Sequence, residues 1–212
     1  MPLGSAVRKV LGPLEPAAIR IYRQQFIDLD ELAETVASVA PDSRRILEIG
    51  CGDGAMAAAI RRWLPEAELL GIDPGAPNPG GFFDGNREGV SFQRLTSSQL
   101  INSGGPLFDL ILLIDVLHHV ADAERQQILL DAAALCAPGG TVAVKEWEQR
   151  PGLSNKAAFV ADRYISGDST VRFMPRDELQ ALLDKAFTGW ANTCTARIPP
   201  RRANLLLTYR RP

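Results

Sequence analysis

Apolar residues recur three or four positions apart from Pro16 onward, at Ile19, Tyr22, Phe26, Leu29, Leu32, Val36 and Val39, which is the spacing of one helical face. Asp28 and Asp30 can each cap a new start within this stretch, so it reads as one amphipathic helix or a broken pair. Pro41 ends it, and the period then changes. Ile46-Leu47-Glu48-Ile49 reads as a buried strand, and Gly50, Gly52 and Gly54 force a tight turn into a helix over about 54–63. Met56, Ile60 and either Trp63 or Leu64 face inward on that helix, and Pro65 stops it.

The same two periods alternate through the rest of the chain. Strands are predicted over 68–73, 90–95, 108–115 and 141–147, with a polar turn at Thr96-Ser97-Ser98. The run Leu110-Ile111-Leu112-Leu113-Ile114 is almost unbroken, the mark of a central strand covered on both faces. Ile128, Leu129, Ala132, Ala133 and Leu135 give residues 122–136 a helical face, and a further helix is predicted over 175–187. Two last strands, 190–198 and 203–210, are joined by four residues, too few for a parallel crossover, so they are antiparallel neighbours. Alternating strands and helices imply an α/β fold with a doubly wound, mostly parallel sheet and an antiparallel C-terminal strand pair, ligands lying at the carboxyl ends of the strands. Residues 148–174 break the alternation, with a short helical patch near 157–164 and a polar turn at 166–169.

Composition narrows the class. A chain of 212 residues with 46% hydrophobic and 23% charged residues can bury one core, so a single domain is expected. A net charge of −2 offers no general case for nucleic-acid binding. No stretch resembles a membrane span or a secretory leader, which points to the cytoplasm. Three widely spaced cysteines, Cys51, Cys136 and Cys194, fit reduced thiols better than disulfides or a zinc knuckle.

The chemistry concentrates at strand ends. Gly50, Gly52 and Gly54 open the backbone to a ligand, while Glu48 beside them repels a pyrophosphate and welcomes a cation. Asp73 ends the second strand 21 residues beyond Gly52, a distance at which an acid can accept from both hydroxyls of a ribose held by the turn. Residues 74–89, with three prolines and five glycines, form an irregular loop in which Phe82 and Phe83 either cover a ligand or anchor the loop to the core. Asp115, His118, His119, Glu146 and Glu148 lie near the carboxyl ends of the fourth and fifth strands. Only Asp115 is placed as an oxygen ligand, so no metal is expected. The arginines from Arg197 onward read as a solvated basic edge or an anion site.

Together, Glu48-x-Gly50-x-Gly52-x-Gly54, Asp73, Phe108-Asp109 through Asp115-Val116-Leu117-His118-His119-Val120, and Pro138-Gly139-Gly140 resemble the class I S-adenosylmethionine-dependent methyltransferases over about 44–147. The resemblance implies a seven-stranded sheet that takes in the closing antiparallel pair. It implies that Gly50, Gly52 and Gly54 carry the methionine and ribose portions of S-adenosylmethionine, that Glu48 helps hold its amino group, and that Asp73 takes the ribose hydroxyls. The segment at Asp115 would meet the cationic end. Thr96 stands where many members place an acid for the adenine amine, a departure that leaves adenine to a hydroxyl or to main-chain groups.

Within one domain, the expected parts are a helical extension (1–43), a cofactor-binding core (44–147), a substrate-side insertion (148–175) and a C-terminal helix and strand pair (176–212). The expected reaction is methyl transfer to a small molecule, at oxygen first, with S-adenosylhomocysteine as product. His119 is the first choice of base, because histidine titrates near neutrality four residues past the strand end, and Glu146 is the second catalytic candidate. Two rivals remain open. Gly50, Gly52 and Ala55 also satisfy a dinucleotide fingerprint, implying an NAD(P)-dependent oxidoreductase, and a methyltransferase-like binding subunit without turnover would keep the same glycines.

Overall fold

In the computed structural model, residues 26–149, 171–200 and 203–212 are described. Their elements are α1 (Leu29–Val39), β1 (Arg45–Ile49), α2 (Ala55–Trp63), β2 (Glu68–Ile72), β3 (Val90–Gln93), α3 (Ser97–Asn102), β4 (Phe108–Ile114), α4 (Asp122–Leu135), β5 (Cys136–Trp147), α5 (Arg176–Ala186), β6 (Ala191–Ile198) and β7 (Asn204–Arg210), with one 3-10 turn at Leu117–His119. The seven strands form one sheet in the order β3-β2-β1-β4-β5-β7-β6. β1 to β5 are parallel, and β7 runs antiparallel to both β5 and β6, as the short 198–203 connection requires.

Strand alternation divides the core into two layers. Ile46, Leu110, Leu112 and Leu206 face α1 and α2, where Leu32, Val36, Met56 and Ile60 meet them. Leu47, Ile111, Leu113, Val144 and Leu207 face α4 and α5, closing on Leu129, Leu179 and Leu183. β4 is therefore buried on both sides, which explains its unbroken apolar run.

Local choices agree with this frame. Asp28 caps α1 by accepting from the N–H groups of Asp30 and Glu31, both at 3.1 Å. Asp109 accepts from the N–H groups of Arg44 and Arg45, both at 2.9 Å, and so registers the start of β4 against β1. On α2 the inward residue is Leu64 rather than Trp63, which is 44% exposed.

Two expectations change. Thr96-Ser97-Ser98 does not end in a turn but opens α3, with a capping box in which Thr96 Oγ1 accepts from Gln99 N and Gln99 Oε1 accepts from Thr96 N. The fifth strand starts at Cys136, five residues early, and a register jump between Phe108 and Leu110 absorbs residues 137–140 as a bulge. The expected helix before Phe26 and the features expected at 157–164 and 166–169 lie outside the described residues.

Candidate functional site

The glycine turn is hooked onto the end of β2. Gly50 and Cys51 donate their N–H groups to Ile72 O at 2.7 and 3.1 Å, and Gly52 N donates to Asp73 Oδ2 at 3.0 Å. The other carboxylate oxygen of Asp73 accepts from Gly75 and Ala76, both at 2.8 Å. Asp73 is thereby fixed facing the turn, with one lone pair on Oδ2 still able to accept.

The three glycines have different reasons to be there. A Cβ on Gly50 would lie 2.6 Å from Val116 Cγ2, and one on Gly54 would lie 2.9 Å from Gly80 Cα, so both are required by protein packing. Gly52 has φ +49, and a Cβ there would meet nothing within 4 Å. Its open face is the part of the turn that a ligand can lie against.

The 74–89 loop docks on this turn through Gly80 N to Gly52 O (3.0 Å) and Phe82 N to Asp53 O (2.9 Å). Phe83 is buried against Phe92, 5.5 Å between ring centroids, and anchors the loop, whereas Phe82 is exposed. Glu48 is buried at the end of β1. Burial first, and then the negative charges of Glu48 and Asp73 and more weakly Asp53, pushes the Cys51 thiol well above its ordinary range. The potential that disfavours a thiolate there favours a cationic ligand.

A second group assembles where β4 ends. Asp115 carries φ +57, the one non-glycine positive φ among the described residues. Lys145, buried on β5, holds both its oxygens, Nζ donating at 2.8 and 2.6 Å. Burial pushes the Asp115 carboxyl up, but Lys145, then His118 and more weakly His119 outweigh it and hold the group below the usual carboxylate range.

Glu146, also buried, accepts from Val116 N (3.0 Å) and Leu117 N (2.7 Å) on one oxygen and lies 2.6 Å from His118 Nδ1 on the other. Since a carboxylate can only accept, Nδ1 carries the hydrogen. Glu146 is thus neither solvated nor an exposed base: it clamps the Leu117–His119 turn. Glu148, buried beside it, pairs with Arg197, so that arginine is not a loose basic edge.

His119, partly buried, sets its ring 4.1 Å from that of His118, tilted by 44°. From the other side, Arg125 Nε donates to Leu117 O at 2.7 Å and Val120 O at 3.0 Å. Asp115, His118 and Glu146 bring ligand-type atoms within 4.8 Å of one another, but the cation already seated on Asp115 is Lys145. An aromatic wall continues from this group through Phe173, 5.3 Å from His118, to Trp147 and Phe26 at 6.2 and 6.1 Å in turn.

Lys145 and Arg125 are the residues of this group that sequence reasoning missed. A Lys-Glu pair inside an otherwise apolar central strand was the available signal for Lys145. Nothing local marked Arg125, which reads as an ordinary solvated helix residue. A cavity of about 390 Å³ lies at the opposite end of the strands, lined by Arg45, Glu68, Val90 and Phe108, and touches none of these groups.

The arrangement matches known proteins. The family model for a methyltransferase domain matches residues 20–194. A ubiquinone biosynthesis O-methyltransferase of Rhizobium etli is 29% identical over 134 residues, 62% of this chain and 50% of that one. One from Cereibacter sphaeroides is 28% identical over 187 residues, 84% of this chain and 73% of the other. The chain therefore spans about half the length of the first of these relatives. Among solved structures, Burkholderia thailandensis 1,6-didemethyltoxoflavin-N1-methyltransferase, with 1,6-didemethyltoxoflavin and S-adenosylhomocysteine bound, superposes with a TM-score of 0.68 at 18% identity, covering 98% of this chain and 88% of its own. With the seven-stranded order, the glycine turn and Asp73 in place, the chain belongs to the methyltransferase-domain family, as a class I S-adenosylmethionine-dependent member.

Proposed function

We propose that this protein transfers the methyl group of S-adenosylmethionine to an oxygen atom of a small molecule and releases S-adenosylhomocysteine. The observation that carries the reading is Gly52: its open face and its N–H, bonded to Asp73, form a cradle with an acid poised at ribose distance. Asp73 would accept from a ribose hydroxyl with the remaining lone pair of Oδ2, and Glu48 and Asp53 would set a negative potential for the cationic cofactor. Thr96 Oγ1 accepts from Gln99 N, so its hydroxyl proton is what it can offer adenine. Asp115, neutralised by Lys145, would contribute main-chain carbonyls more than free charge.

The bound cofactor supplies a sulfonium methyl that is already a strong electrophile. The protein's part is to align the acceptor and, for an acid acceptor, to take its proton. The adjacent imidazoles of His118 and His119 and the wall of Phe173, Trp147 and Phe26 lie where an acceptor would meet the carboxyl ends of β4 and β5. The O-methyltransferase relatives support oxygen as the accepting atom. Among the described residues no helix is long and apolar enough to cross a membrane. We place the protein in the cytoplasm, acting on a small molecule rather than on nucleic acid or a membrane, as one domain with the four parts given above.

The test incubates the protein and S-adenosylmethionine with a catechol, a carboxylic acid and a primary amine, reading S-adenosylhomocysteine release and product mass. Methylated catechol or acid supports the reading; product from the amine alone overturns the choice of oxygen, and absence of product from all three counts against turnover.

A further inference from the structure

Where β5 ends, one buried amide uses only half of its hydrogen-bonding capacity. Asn204, the first residue of β7, is 0% exposed and lies directly opposite Trp147 of β5 on one side and Ile198 of β6 on the other. Its Nδ2 donates to Phe26 O at 2.6 Å. A carbonyl can only accept, so this bond decides which way round the amide sits and turns Oδ1 away from Phe26 O. Among the described residues Oδ1 has no hydrogen-bond partner. Buried polar atoms are normally paired, since an unpaired one has given up water without replacement.

Anchoring the chain accounts for the donor and not for the oxygen. The segment at Phe26 is already held by backbone links, Asp28 N donating to Pro199 O at 2.7 Å and Ile27 bridging Pro200. The charged donors of the two flanking strands are engaged elsewhere, Lys145 on Asp115 and Arg197 on Glu148. The amide's setting is that of the candidate acceptor site. The ring of Trp147, its cross-strand neighbour, is 6.1 Å from that of Phe26 and 6.2 Å from that of Phe173, which lies 5.3 Å from His118 at the end of β4. Val171 and Ala203 complete this buried group, and Phe26, Phe173, Val171 and Ala203 carry no side-chain donor.

We propose that Asn204 is a specificity-determining residue for the methyl acceptor, its Oδ1 accepting from a second polar hydrogen on a largely apolar or aromatic molecule, a hydroxyl or N–H other than the group that is methylated. The inference rests on the small-molecule methyl-transfer reading above. Because Asn204 is wholly buried, the donor comes from a molecule that enters among these rings rather than from bulk water. An acceptor with that second donor gains a hydrogen bond in an apolar setting, and one without it leaves the amide oxygen unpaired, which is how a site rejects an analogue that differs by a single hydroxyl.

The experiment compares phenol with its three dihydroxy forms, catechol, resorcinol and hydroquinone, in wild type, Asn204→Leu and Asn204→Thr. Calorimetric titration into protein loaded with S-adenosylhomocysteine reads binding without turnover, and S-adenosylmethionine assays read kcat/KM. The expected result in wild type is a preference of about 10- to 100-fold for at least one dihydroxy form over phenol in both readouts. Asn204→Leu should cut that preference to within about threefold, and Asn204→Thr, whose hydroxyl can both donate and accept, should keep part of it and covers the case in which the leucine variant does not fold. Loss of the bond to Phe26 O affects phenol and its dihydroxy forms alike and cancels in the ratio. No preference in wild type, whether or not the phenols bind, overturns the proposal, as does an equal loss for all four compounds with the preference intact. A wild type that binds with the expected preference but methylates none of the compounds overturns the functional reading instead and leaves the assignment of Asn204 standing.

Discussion

Exchanging Gly52 and Gly54 for alanine separates what the turn does for the fold from what it does for the ligand. Both glycines have positive φ, +49 and +86, so each alanine carries the left-handed penalty of about 1–2 kcal/mol. They part company in space. The new methyl at position 54 would lie 2.9 Å from the backbone Cα of Gly80 and 3.3 Å from Phe83 Cβ, an overpacking worth a further 1–3 kcal/mol or so. The methyl at position 52 would meet no protein atom within 4 Å. For a domain of this size roughly 2–4 °C of melting temperature accompany each kcal/mol, so Gly54→Ala should melt about 2–12 °C below Gly52→Ala. Binding should reverse the order of damage per unit of stability lost. The Gly52→Ala methyl enters the space assigned to the cofactor and should weaken S-adenosylhomocysteine by about 1–3 kcal/mol, roughly 5- to 150-fold. Scanning fluorimetry and calorimetric titration of both variants make the comparison. Wild-type affinity in Gly52→Ala, or a melting loss there equal to that of Gly54→Ala, would refute the assignment of the open face to the ligand.

Further outcomes follow from the same geometry. Asp73→Asn keeps an oxygen for Gly75 and Ala76 but sets an NH2 or a weaker acceptor against Gly52 N, so cofactor affinity should fall by about 1–3 kcal/mol in titration, and an unchanged value would remove Asp73 from the ribose site. The Asp115 carboxyl is held below its ordinary value of 3.8, so its contribution to stability is complete above that pH and is lost as pH falls through the lower folded value. Melting curves of wild type and Asp115→Asn should therefore still differ at pH 5 and converge only in strong acid; convergence already at pH 5 would contradict the pairing. Burial pushes the Cys136 thiol up to about 12 and Cys51 higher still, so iodoacetamide at about pH 8 should leave both unmodified in the native protein and label them in urea, as mass spectrometry of the digests would report.

The fold was legible because its signals are redundant. The apolar run of β4, the period-four face of α4 and the short link between β6 and β7 each imply a doubly wound sheet with an antiparallel edge, and none depends on distant contacts. What escaped was set by competition between neighbours. Thr96 reads as a turn residue because the same hydroxyl that breaks a strand can cap a helix, and only Gln99 three residues on decides between them. The extra residues 136–140 of β5 follow from a register jump against β4 that no local pattern encodes.

At the site, the glycines and Asp73 were readable from spacing, since backbone conformation and strand order alone bring them together. The roles of Gly50 and Gly54 were not, because they depend on Val116 and Gly80, residues far along the chain or in an irregular loop. His118 and His119 are indistinguishable in sequence until Glu146, 28 residues away, reaches one of them. Lys145 and Glu146 are neighbours on a buried strand and serve different partners, Asp115 and His118, which makes two like-looking charged residues do different work.

The most direct measurement is a parallel calorimetric titration of the purified protein with S-adenosylmethionine, S-adenosylhomocysteine and NAD. The account predicts one-to-one micromolar binding of the first two, weakened in Gly52→Ala and Asp73→Asn, and no binding of NAD. Binding of NAD without the sulfur nucleosides would contradict it and transfer the glycine turn to dinucleotide chemistry.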